Sequence, residues 1–187
     1  MDTRLQHLRE IIKSQTLEAA LITSIPNIFY LTGYDGFLIE EREAYLFITK
    51  KEAYLFTNAL YLDEVTRAAP HIIVKAINRY QPIAKALQEL TTQQAIKKVG
   101  IEEHNLTAAE YKNLSSLPIS LDAINLTNLR TLKTPEEIGA VAKACAIGDQ
   151  AFAHILTQIK VGVTEKELAY GLDLFMKQNL AIHRSAP

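Results

Sequence analysis

The chain has 187 residues, enough for one ordinary hydrophobic core or one and a fraction. With 48% hydrophobic and 22% charged residues it is not a disordered polymer, and a net charge of −1 excludes long-range attraction to nucleic acid or to an anionic membrane surface. A single cysteine excludes an internal disulfide, and with no apolar run of membrane-spanning length and no signal peptide the expected compartment is cytoplasmic.

In chain order, Leu5, Leu8, Ile11 and Ile12 make an amphipathic first helix with Asp2 available as its cap. Leu17 to Thr23 reads as a buried strand. In Ser24-Ile-Pro-Asn-Ile-Phe-Tyr-Leu-Thr-Gly33, Pro26 suits the first turn of a short helix, and Gly33 and Gly36 flank a sharp turn. Glu40, Glu41, Arg42 and Glu43 form a charged loop. Glu43-Ala-Tyr-Leu-Phe47 then recurs as Glu52-Ala-Tyr-Leu-Phe56, nine residues on, around the polar Thr49-Lys-Lys. Two aromatic-rich runs with a short polar turn between them predict an antiparallel hairpin, and two copies are too few for a repeat architecture, so the identity reads as shared strand chemistry.

Leu60 to Ala69 is helical in pattern, His71 to Ala76 is a strand, and Ile83, Leu87 and Leu90 mark another helix. Lys98 to Glu102 is a strand, Thr107-Ala-Ala-Glu110 is a capping box opening a helix toward Leu114, and Ile119 to Ile124 is a last strand. Strands alternating with helices, plus one hairpin, predict an α/β fold: a mixed sheet with helices on its faces.

Thr134-Pro-Glu-Glu137 is a second capping box, with proline at the first helical position. Ile138, Val141, Ala142, Cys145, Phe152, Ile155, Leu156 and Ile159 then predict one stripe on a helix of about 24 residues. On that stripe Cys145 is expected to be a buried small hydrophobe, and Asp149 to be hydrogen-bonded within the helix pair. Gly162 is placed as the residue ending this helix. Thr164-Glu-Lys-Glu167 is a third capping box, before a helix whose face is Leu168, Leu172, Phe175 and Met176. The domains expected are residues 1–126 and 127–187.

No chemistry-bearing constellation emerges from these residues. The histidines (His7, His71, His104, His154, His183) never pair at metal-ligand spacing, no glycine-rich phosphate loop or nucleophile elbow exists, and Glu102-Glu103-His104 reads as a solvated strand end. No catalytic and no metal residue is assigned.

The order of signals nevertheless resembles a known family. Ile25-Pro-Asn-Ile-Phe-Tyr-Leu-Thr-Gly-Tyr-Asp-Gly36 is similar to the early segment of the Xaa-Pro peptidases (aminopeptidase P, prolidase) and their relative creatinase. Val99-Gly-Ile-Glu102, Leu129 to Ile138 and Ile159 to Leu168 match later segments in the right order. The resemblance implies a creatinase-type N-terminal domain followed by the first two helices of a truncated "pita-bread" catalytic domain. In the family, two Asp, one His and two Glu of that catalytic domain hold two divalent metal ions (Mn, Co or Zn) that activate water and polarise the peptide carbonyl. Those ligands lie beyond the last helix matched here, so no cofactor is expected in this chain, and Ile182-His-Arg-Ser-Ala-Pro187 does not match the family's continuation.

The resemblance further implies a homodimer acting on proline-containing peptides. In related prolidases the loop after Tyr-Leu-Thr-Gly reaches toward the partner's active site, which makes Tyr34, Asp35, Phe37, Glu40, Glu41 and Arg42 a candidate substrate-gating loop. The family's Thr-Asp-x-Arg-Tyr segment reads Thr57-Asn58-Ala59-Leu60-Tyr61 here, without the acid and the arginine. The function expected is therefore the oligomerisation and gating part of a metal-dependent Xaa-Pro dipeptidase or aminopeptidase, catalytically incomplete alone. The alternative is a free-standing, non-catalytic module that binds a protein partner. In the family the apolar faces of the last two helices, each large side chain worth roughly 1.5–3 kcal/mol when buried, pack on the catalytic sheet; without it they are expected to fold back on the first domain, pair with a second copy or stay exposed.

Overall fold

The computed structural model describes residues 3–184, which excludes the Asp2 cap and residues 185–187. The chain divides into two compact units, Met1–Thr131 and Leu132–Pro187. The division falls a few residues after the sequence-based boundary because Leu126 and Leu129 pack into the core of the first unit.

The first unit runs α1 (Thr3–Ser14), β1 (Ala19–Ile22), α2 (Ile25–Thr32), β2 (Ala44–Thr49), β3 (Ala53–Thr57), α3 (Leu62–Ala68), β4 (Ile73–Ala76), α4 (Ile83–Gln93), β5 (Lys98–Ile101), α5 (Ala108–Leu114) and β6 (Ser120–Ala123). Its six strands form one sheet in the order β4-β3-β2-β1-β5-β6. The β1–β2 and β2–β3 pairs are antiparallel and the other three parallel, so the sheet is mixed.

Side chains alternate strictly between two cores, as the period of two requires. Ala20, Ile22, Leu46, Ile48 and Leu55 face one side, with α1, α2 and α3 residues such as Leu8, Ile28 and Val65. Ala19, Leu21, Tyr45, Phe47, Tyr54 and Phe56 face the other, with Leu87 and Leu90 of α4 and Leu114 of α5. Covering both faces explains why β1, β2 and β3 are buried throughout and read as continuous apolar runs. The duplicated Ala-Tyr-Leu-Phe now has a geometric meaning. Paired antiparallel, the copies set Tyr45 opposite Phe56, Leu46 opposite Leu55 and Phe47 opposite Tyr54. Both leucines therefore enter one core and all four aromatic rings the other.

The second unit holds α6 (Pro135–Leu156) and α7 (Glu165–Arg184), joined by a short turn. Both predicted capping boxes form: the Glu137 N–H donates to Thr134 Oγ1 at 3.3 Å and the Thr134 N–H to Glu137 Oε2 at 2.9 Å, and the Thr164–Glu167 pair does the same at 3.3 and 2.8 Å. Three expectations are corrected here. The helix ends at Leu156 with Thr157 as its cap. Gly162 instead sits inside a later turn, with φ +91° and a Val163 N–H to Lys160 O bond of 3.2 Å. Cys145 is exposed, as are Ala144 and Ala146 beside it, whereas Ala151 is buried and His154 stacks on Phe175 of α7 at 4.5 Å. Asp149 is exposed as well, with no hydrogen bond among the described residues, so it needs no partner to offset burial.

Candidate functional site

The loop singled out by the sequence leaves α2 and enters β2. Ser24, the N-cap of α2, makes no side-chain cap. Glu102, just past β5, binds the residues that lead into the helix instead: its carboxylate accepts the N–H groups of Thr23 and Ser24 at 2.5 and 2.8 Å and the Asn27 side-chain amide at 2.5 Å. A carboxylate from just beyond β5 thus lies at the positive end of α2. Gly33 then ends the helix in the left-handed conformation, φ +78°, donating its N–H to Phe29 O at 2.7 Å.

Beyond Gly33 the loop divides by burial. Tyr34 is buried, and its hydroxyl donates to Glu64 Oε2 at 2.9 Å from the first turn of α3. Burial, then the bond to Glu64, raises its phenol above the usual tyrosine range. Its ring lies over Gly36, where any Cβ would collide with the phenol. Phe37 is also buried, edge-on to Tyr34 at 4.8 Å and to Tyr61 at 5.1 Å. The next residues turn outward: Leu38 is 53% and Ile39 70% exposed, and Asp35, Glu40 and Glu41 are exposed too. Glu43 closes the loop, accepting the Leu38 N–H at 2.6 Å with one oxygen and the Tyr61 hydroxyl with the other.

Arg42 is the most heavily engaged side chain of the loop. Its Nε donates to Glu110 Oε1 at 2.8 Å and Nη2 to Glu110 Oε2 at 3.4 Å. Nη1 donates to Asn105 Oδ1 at 2.7 Å and to the Thr23 carbonyl, and Nη2 to the Asn105 carbonyl. A guanidinium has five N–H donors, and all five are spent here. The Tyr45 hydroxyl donates to the same Glu110 oxygen at 2.7 Å, and the guanidinium lies 5.6 Å from the Tyr45 ring. Glu110 meanwhile completes the α5 capping box, accepting the Thr107 N–H at 2.8 Å. Burial pushes the Glu110 carboxyl up, but the Thr107 amide, Tyr45 and Arg42 outweigh it and hold it below the ordinary carboxylate range.

The candidate residues are therefore not one surface. Tyr34, Phe37 and Arg42 anchor the loop, whereas Asp35, Glu40 and Glu41, with Leu38 and Ile39 between them, are presented to solvent. That tip, apolar beside acidic, suits an apolar group next to a cation and carries no nucleophile. Glu43, Tyr61, Glu64, Asn105 and Glu110 complete the site without having been assigned to it from the sequence; only the capping role of Glu110 was readable there. Among the described residues no three His, Cys, Asp or Glu side chains converge as a metal would require, so the residues present do not fit a dinuclear centre.

Known proteins place this architecture. Residues 4–132 match the creatinase/prolidase N-terminal domain, and the chain belongs to that family. It is 27% identical over 93% of its length to YqhT, an uncharacterized peptidase of Bacillus subtilis, of which it covers 48%. It is 24% identical over 96% of its length to an Xaa-Pro dipeptidase of Pyrococcus horikoshii, covering 49% of that protein. In three dimensions it superposes on an Xaa-Pro dipeptidase from Bacillus anthracis with a TM-score of 0.83 at 24% identity, over 94% of this chain and 48% of that one. The chain thus spans about half the length of the relatives it matches. No described helix is long and apolar enough to cross a membrane.

Proposed function

We propose that this chain is the N-terminal part of a metal-dependent Xaa-Pro dipeptidase or aminopeptidase, serving homodimer contact and substrate gating. The observation that carries the reading is coverage: similarity extends over nearly the whole chain yet only about half of each peptidase relative. In this division of labour, the pair of divalent metal ions that activates water belongs to the other half. The first unit contributes the 33–43 loop. Its exposed Leu38 and Ile39 suit an apolar side chain of a proline-containing peptide, and Asp35, Glu40 and Glu41 suit the peptide's N-terminal ammonium. No step of bond cleavage is assigned to residues of this chain.

Hydrolysis of Ala-Pro and Leu-Pro by this chain with Mn²⁺ or Co²⁺ tests the division. Background rates are expected, and metal-dependent turnover would overturn it. In the full-length enzyme, replacing Asp35 and Glu41 by alanine should lower kcat/KM for Xaa-Pro dipeptides by about tenfold, the scale of a lost charge contact. Unchanged kcat/KM would remove the gating role.

A further inference from the structure

We infer that Arg42, Glu110 and Tyr45 form a latch that sets the position of the 33–43 loop, so that Arg42 is a positioning residue and not a contact for substrate. Only the meaning of the loop rests on the gating reading above; the latch stands on the geometry of this chain.

The argument begins with donor capacity. A guanidinium whose five N–H groups already serve Glu110, Asn105 and Thr23 has none left for an incoming carboxylate or carbonyl. Its partners come from three places that converge at one end of the sheet: the end of β1, the β5–α5 connection and the first turn of α5. Because β2 runs antiparallel to β1, the residues leading into β2 lie near the end of β1, and Arg42, two residues ahead of Ala44, donates to the Thr23 carbonyl. The pair with Glu110 is largely buried, which strengthens it relative to a surface pair.

The remaining loop is held unevenly. Tyr34 and Phe37 fix its first limb by burial, and Arg42 and Glu43 fix its last. Between them, among the described residues, the segment 38–41 has only the Leu38 N–H to Glu43 bond and a long Glu41 N–H to Leu38 O bond of 3.4 Å. A segment so thinly bonded keeps its place through its two ends. Releasing the Arg42 end therefore frees the tip while both cores, which contain neither Arg42 nor Glu110, stay packed.

Native-state cleavage of this chain by endoproteinase Glu-C after Glu40 or Glu41 tests the latch, with Arg42→Gln, Arg42→Lys, Glu110→Gln and the Arg42→Gln/Glu110→Gln double variant. Glu110→Gln is informative because glutamine preserves the capping-box pattern at the start of α5 while removing the charge that holds Arg42. Each single substitution should speed cleavage by about tenfold or more, the scale of a lost charge-assisted bond. Arg42→Lys should not restore protection, since an ammonium cannot span Glu110, Asn105 and Thr23 together. The double variant should be no faster than either glutamine variant. The faster rates should also be nearly independent of urea below the unfolding transition, the mark of local opening. Wild-type rates in Glu110→Gln, or acceleration that follows urea as global unfolding does, would overturn the latch. If Arg42→Gln fails to fold, Glu110→Gln alone decides. The readout uses no substrate, so its failure is distinct from a failure of gating.

Discussion

The two units close their apolar surface in opposite ways. In the first, a mixed sheet is covered on both faces, and residues such as Phe47, Phe56, Leu46 and Leu55 are fully buried. In the second, helices with well-formed caps bury only Ala151 fully among the residues whose side chains are described, while Ile138, Val141, Phe152 and Leu156 are each more than half exposed. Local capping is in fact better in the second unit: α6 and α7 both open on capping boxes, whereas α2, α3 and α4 have no side-chain cap. The difference teaches that capping and periodicity suffice to form α6, whereas burial of its stripe depends on a surface that the helix pair itself does not supply.

The largest expected effect breaks the comparison if it fails. Phe47→Ala should destabilise the first unit by about 3–5 kcal/mol, and Phe152→Ala the second by no more than about 0.5 kcal/mol. Urea unfolding followed separately in the two units reads both. A Phe152→Ala loss as large as that at Phe47 would mean that the exposed stripe is covered in solution.

A second pair should differ in sign. A Cβ at Gly100 would stand 2.7 Å from Leu17 Cδ1 and 3.0 Å from Ile124 Cβ, so Gly100→Ala should cost about 1–3 kcal/mol through overpacking. Gly139 and Gly148 lie inside α6 with nothing within 4 Å, and alanine at each should stabilise that helix by about 0.5–1 kcal/mol. Thermal melts of the three variants would sharpen the contrast, and destabilisation by Gly148→Ala would contradict the open face.

The smallest effect is pH dependence. Glu110 is held below the ordinary carboxylate range, and so is Glu18, whose carboxylate accepts the N–H groups of Lys97 and Lys98 at 2.6 and 3.1 Å. A lowered folded-state pKa means stability that is fully present above the unfolded carboxylate pKa and lost as pH falls through the folded one. The first unit should therefore lose stability as pH drops through and below about 4.5, with a shallower loss in Glu110→Gln. Tyr34, Tyr45 and Tyr54 shift the other way, Tyr54 up to about 12 through burial and its bond to Glu52. Their contribution is complete below the unfolded tyrosine pKa and is lost as pH rises beyond it. An acid profile unchanged by Glu110→Gln would show that the carboxylate contributes nothing through its charge.

Much of this was legible in the chain before any coordinates. Thr107-Ala-Ala-Glu110, Thr134-Pro-Glu-Glu137 and Thr164-Glu-Lys-Glu167 specify their own caps, because both partners lie within one turn. The repeated Ala-Tyr-Leu-Phe specifies its hairpin, because a short polar turn brings the copies together. The order of segments, from Ile25 to Leu168, carried the resemblance to the creatinase and prolidase family.

What only the tertiary structure decided are the relations across long stretches of chain. Arg42 meets Glu110 across 68 residues, and Glu102 binds the Ser24 N–H at the start of α2 across 78. No periodicity encodes such pairs; the strand order does, by setting β1 between β2 and β5 so that the start of β2 and the ends of β1 and β5 share one end of the sheet. The same holds for burial. Cys145 and Phe152 carry a core-like pattern yet are exposed, since a pattern states which face is apolar and only packing states whether anything covers it.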